Sequence, residues 1–254
     1  MLVFYRSISW ILGFACAGAF FLVARDASLF APLFGLLFLL LIFLYTQLID
    51  LPKHDFGFWH FLFTPLLLFI SCGLFFLFLE NFQAMVVLGG VLGVLELIYG
   101  EHLFYYFHQP SEYRVYTIER VSLILSVVTT FLLSSALFGL LILVHVPLWM
   151  LAPAFFLFAT FMVYSTLWVS KVDSDRSSSY SLVGGLLLTQ IFIALSFLPV
   201  AHTTNAALLA VFLYFFLGMS RADFMKRLTR RVFLRYLFFT VIVLTIILVT
   251  TKWV

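Results

Sequence analysis

Apolar and polar positions alternate along this chain in long blocks rather than residue by residue. Nine apolar blocks stand out, at roughly 7–24, 28–49, 57–79, 83–107, 120–144, 147–170, 180–200, 204–220 and 233–251. Each approaches the length of about 20 residues that carries a helix across a hydrocarbon core. The connectors between them hold turn-forming or polar residues: Arg25-Asp26, Asp50-Leu51-Pro52-Lys53, Glu80-Asn81, Gln109-Pro110-Ser111, His145-Val146-Pro147, Ser177-Ser178-Ser179 and Thr203-Thr204-Asn205. The runs are continuous, unlike the in-out alternation of a membrane β-barrel. The pattern predicts an all-α fold: a polytopic bundle of about nine transmembrane helices, a single domain over 1–254.

The cations in the connectors give this bundle a direction. Nine spans put Arg6, Lys53, Arg114, Arg120, Lys171, Arg176, Arg221, Lys226, Arg227, Arg230, Arg231 and Arg235 on one side, and only Arg25 and Lys252 on the other. Cytoplasmic connectors carry the excess of Lys and Arg, so the N-terminus is expected inside and the C-terminus outside. Trp10, Trp59, Trp149, Trp168 and Trp253 fall near expected span ends, where an aromatic belt would place them. The first span has Arg6 before it and Leu22-Val23-Ala24 at its end, as a signal peptide would. Its length, and Arg25-Asp26 directly after it, favour a retained helix.

Composition agrees with the block pattern. The chain is 65% hydrophobic and 10% charged, against about 25% charged in soluble domains. Its two cysteines, Cys16 and Cys72, lie inside spans and define no disulfide framework.

Span four carries the strongest candidate for chemistry. Turning about 100° per residue brings Gly89, Gly93, Glu96 and Gly100 onto one stripe. Glycines so spaced admit a second helix closely, so Glu96 is expected to face protein. It lies near the expected middle of its span, where ionisable groups are costly and are paired or functional. The same depth falls at Thr129 and Thr130 in span five, Thr160 in span six, and Thr189 and Gln190 in span seven. These residues would complete a polar layer around Glu96. No Lys or Arg shares that level in spans four to seven, so the carboxyl is expected to be protonated. It would either lock helices through hydrogen bonds or serve a transport path.

A second cluster follows in Tyr99, Glu101, His102, Tyr105 and His108. Carboxylates and histidines at a cytoplasmic mouth could pass protons. The two histidines are six residues apart on different helix faces, and no metal-ligand box is present. No metal and no cofactor is expected, and the plainer reading is an interfacial belt with solvated Glu–Arg pairs. A third cluster, Arg221, Lys226, Arg227, Arg230 and Arg231, should contact anionic lipid at the cytoplasmic face. Nucleic acid is not expected, because no aromatic interleaving or RNA-binding pattern accompanies the charge. The loop Asp50–Asp55 has ligand-type residues but reads as a solvated turn.

Three functions remain, in this order. The first is passage of a small solute or ion through the layer at Glu96. The second is a non-catalytic assembly or scaffold subunit, with a membrane-protein partner or a second copy. The third, an enzyme on a lipid-linked substrate at the Glu/His/Tyr cluster, is the least favoured.

Overall fold

The polar residues between the apolar blocks are where the helices begin. Asp55 accepts a hydrogen bond from the Gly57 amide at 3.0 Å, Asn81 from Gln83 at 2.8 Å and Thr229 from Val232 at 3.4 Å. Side-chain oxygens at this position satisfy amides that a helix start leaves without partners. Asp26 does the same for a short 3-10 turn, accepting from both the amide and the hydroxyl of Ser28. These two bonds hold the Asp26 carboxyl below its ordinary pKa.

The computed structural model describes residues 2–114, 116–170 and 174–251. Lys171, Lys252 and Trp253, counted above, lie outside them. Among the described residues there are nine α-helices: α1 (Leu2–Arg25), α2 (Phe30–Leu48), α3 (Phe56–Phe76), α4 (Phe82–His108), α5 (Thr117–Leu143), α6 (Leu148–Val169), α7 (Ser174–Leu195), α8 (His202–Phe224) and α9 (Arg230–Thr250). Each contains a stretch long and apolar enough to cross a membrane. The protein is an all-α, multi-pass membrane protein.

The expected spans match these helices to within a few residues, with two informative exceptions. Helix α7 starts at Ser174, so Ser177, Ser178 and Ser179 are helical and not a connector. Helix α8 starts at His202, which places Thr203, Thr204 and Asn205 in its first turn. Small polar residues suit a helix start as well as a loop, and composition alone does not separate the two.

The chain divides into two compact units, residues 1–125 and 126–254, with α5 contributing to both. In the first unit the dominant packing is α1 against α4, with α2 and α3 completing the group. In the second it is α6 against α7, followed by α8 on α7 and α9 on α8. An aromatic core fills one end of the first unit: Phe20 meets Phe69 and Phe76 edge-on, Phe34 stacks on Phe69 at 4.5 Å, and Phe30 joins Phe34 to Phe76. In the second unit Phe192 is stacked between Phe138 and Phe155, at 4.5 and 4.8 Å.

A candidate site around Glu96

The glycine stripe of α4 meets α1. A Cβ at Gly93 would stand 2.5 Å from the Gly13 carbonyl oxygen and 2.9 Å from the Ala17 Cβ. One at Gly89 would meet the Phe20 Cβ at 2.5 Å, and one at Gly100 would meet Ser9. Gly90, off the stripe, would meet nothing within 4 Å. The α1 side of this seam is a small-residue pair, Gly13 and Ala17, that lets two backbones touch.

Glu96, on the same stripe, is fully buried. The Tyr45 hydroxyl of α2 donates to its Oε2 at 2.6 Å. Its other oxygen, Oε1, is buried and has no hydrogen-bond partner among the described residues. Cys16 of α1 and Cys72 of α3, both buried, lie within electrostatic reach of the carboxyl. Tyr45 of α2 is thus the side chain bonded to this acid, with the two thiols buried in the same unit.

Tyr99, one turn further along α4, does different work. Pro65 lies inside α3 and has no N–H, so it cannot bond the Phe61 carbonyl four residues back. The Tyr99 hydroxyl fills that acceptor, donating to the Phe61 oxygen at 3.1 Å. One phenol thus makes good the bond that proline removes and ties α4 to α3.

Helix lengths fix the depth of the site. Tyr45 lies 15 residues beyond Phe30 and Glu96 lies 14 beyond Phe82, or about 22 and 21 Å at 1.5 Å per residue. The two groups are level, one turn before α2 ends. Helix α4 has 27 residues, about 40 Å against a core of about 30 Å, and runs well past that level. Glu96 is 14 residues from the first and 12 from the last residue of α4, close to the middle of that helix, and level with the last turn of α2.

The end where α2 stops and α3 starts is polar. Arg6 Nε stands 3.9 Å from Glu101 Oε1, with both side chains partly exposed. Such a pair contributes only about 0–1 kcal/mol. His108 rests against the rings of Tyr5 and Phe104. His102 and Tyr105 are half-buried. Tyr99, fully buried and engaged with Phe61, is set apart from this cluster. Nearby, Tyr113 caps the first turn of α5, accepting from the Ile118 amide at 3.1 Å. Burial is the main cause that raises its phenol pKa. In the Asp50–Asp55 loop, Asp55 is a helix cap and the Lys53 carbonyl accepts from the Trp59 indole at 2.9 Å. Among the described residues no three His, Cys, Asp or Glu side chains converge as a metal set.

The other residues expected in the polar layer belong to the second unit. Thr129 and Thr130 are buried on α5, and their hydroxyls have no partner among the described residues. Thr160 of α6 packs on Gly185 of α7, and Thr189 donates to the Gly185 carbonyl at 2.7 Å. Gln190 lies on an exposed face of α7.

Sequence reasoning missed Tyr45, the two thiols and the Gly13–Ala17 half of the seam. The last was present as a small-residue pair four apart in span one. Pro65 likewise implied an orphan carbonyl at Phe61. Tyr45, a single phenol in a leucine-rich span, carried no periodic signal.

Comparison with known proteins places residues 45–250 in a family described as "Protein of unknown function (DUF5656)". The chain belongs to the DUF5656 family. The matched range starts at Tyr45 and contains Glu96 and Tyr99, while α1 precedes it. No curated protein and no solved structure matches the chain.

Proposed function

We propose that this DUF5656 protein passes a proton or small cation, or a solute coupled to one, with Glu96 as the exchanging carboxyl. The observation that carries the proposal is the unpartnered Oε1 on a fully buried acid. A carboxyl kept only as a helix lock would have both oxygens satisfied, because a buried polar atom without a partner costs about 1–3 kcal/mol. Intramembrane acids that bear this cost are functional by default.

The surroundings support access from one end. Glu101, His102, Tyr105 and His108 lie between Glu96 and the end of α4. The opposite half is closed by Phe20, Phe30, Phe34, Phe69 and Phe76. The charge split supports assigning the polar end, with the N-terminus, to the cytoplasm. Protonation would then occur from the cytoplasmic side, and passage would require the phenylalanine plug to part.

A second reading has its own support. The Gly13–Gly93 contact is too close for water, as a non-transporting assembly subunit would want. Infrared spectroscopy of the protonated carboxyl separates the two without knowledge of a substrate. The Glu96 band is assigned as the one lost in Glu96→Gln, with unchanged thermal stability as the folding control. A band that shifts within minutes of transfer to D2O supports exchange. A band unshifted over hours makes Glu96 a lock and the subunit reading stands.

A further inference from the structure

The turn between α8 and α9 breaks two local preferences, and its one acid is engaged elsewhere. Helix α8 ends in a paired cap: the Lys226 amide donates to the Asp223 carbonyl at 2.8 Å and the Arg227 amide to that of Ala222 at 3.0 Å. This cap needs a left-handed residue, ordinarily glycine. Here Lys226 holds it, at φ 52°. Helix α9 then opens on Arg230 and Arg231 with no acid in its first turn. Cations there oppose the helix dipole. Asp223, the sole acid of the segment, accepts from the Tyr180 hydroxyl at 2.8 Å. Lys226, Arg227, Arg230, Arg231 and Arg235 are all exposed, and among the described residues none is in an ion pair.

The helix that follows is almost bare. Only 6% of the apolar stretch of α9 is buried. Arg231, Arg235, Phe238, Ile242 and Val249 recur at helical spacing and are exposed. Two guanidiniums at the head of one face lead directly onto an apolar wall.

We propose that this face binds an anionic phospholipid. The phosphate sits on Arg231 and Arg235 at the start of α9, and the acyl chain lies along Phe238, Ile242 and Val249. Guanidinium forks match phosphate oxygens in pairs. A phosphate also supplies the negative charge that the helix start lacks. A topological anchor would need cations near the membrane but not two in register with an exposed apolar stripe. The occupant is amphiphilic, since charge and wall belong to one continuous face.

The test is thermal stability of the whole protein in zwitterionic detergent, titrated with phosphatidylglycerol, phosphatidylcholine or the tail-less glycerophosphoglycerol. Phosphatidylglycerol should raise the melting temperature by several degrees at low molar ratios, and the other two should not. Arg231→Gln with Arg235→Gln should weaken that response about tenfold, while Arg6→Gln with Arg114→Gln leaves it unchanged. If the Gln pair fails to insert, Arg231→Lys with Arg235→Lys keeps the charge and should still weaken the response. Equal stabilisation by phosphatidylcholine overturns the proposal. So does full effect of the tail-less compound, which points to a soluble anion, or a loss as large in the Arg6/Arg114 pair.

Discussion

Glycines on the α1–α4 seam of the first unit and glycines of the second unit do opposite things. In the first, Gly93 of α4 receives backbone: the Gly13 carbonyl is the nearest atom to its missing Cβ. In the second, Gly184 receives the ring edge of Phe216, Gly218 that of Tyr236, and Gly185 the Thr160 side chain. The first use brings two helix axes together along a line. The second makes a local hollow for one side chain. A seam is rigid because a carbonyl cannot step aside, whereas a ring can turn. The polar groups divide similarly. The first unit buries an acid with one phenol bonded to it. In the second, the Ser126 and Thr166 hydroxyls pair at 2.8 Å, and Thr166 has a further acceptor at the Met162 carbonyl.

The largest effect is expected where the seam is backbone-limited. Gly93→Leu should cost about 3 kcal/mol or more, at the upper end of overpacking penalties, read as loss of folded protein in detergent melts. Gly90→Leu, facing open space, should leave the melt nearly unchanged. Equal losses would remove the distinction between stripe and flank. Next comes Tyr45→Phe, which leaves Glu96 Oε2 as unpartnered as Oε1. The expected loss is about 1–3 kcal/mol, against about 0.5–1.5 kcal/mol for Ser126→Ala, whose partner keeps an alternative acceptor. Urea or detergent titration of both variants ranks them, and a larger loss for Ser126→Ala would reverse the ranking. The smallest effect is expected at Gly184→Ala. Its Cβ meets only the far end of Phe216, so a rotation should absorb it for under about 1 kcal/mol. A cost matching that of Gly93→Ala would show both units to be seam-packed.

The residues that made the fold readable are the ones that water and lipid sort. Blocks of Leu, Phe and Val fixed all nine helices, since few other structures satisfy backbone groups in hydrocarbon. The Gly89–Gly93–Glu96–Gly100 stripe was readable because helical periodicity is local, and Gly90 fell off it for the same reason. Helix starts at Ser174 and His202 were not readable, since serine and threonine serve caps and loops alike. The partners of Glu96 were hidden for another reason. Tyr45 is 51 residues away, and no short-range pattern reports which phenol a carboxyl will meet. The level of Glu96 against the end of α2 was not readable either, because a span's own length says nothing of its neighbour's end.

The seam between α1 and α4 also sets a schedule for biogenesis. Gly13 and Gly93 are separated by 80 positions (93 − 13) in the chain, so α1 enters the bilayer before the surface it fits has been synthesised. Until α4 arrives, Gly13 and Ala17 face lipid or a transient chaperone, and the acid at Glu96 must then enter beside helices already waiting for it. Closing so long a loop is slow relative to pairing neighbours. Helices α7 to α9, each packed on the one just made, face no such delay. Closure of the α1–α4 seam should therefore lag behind insertion of α1 by at least the time taken to make residues 26–82.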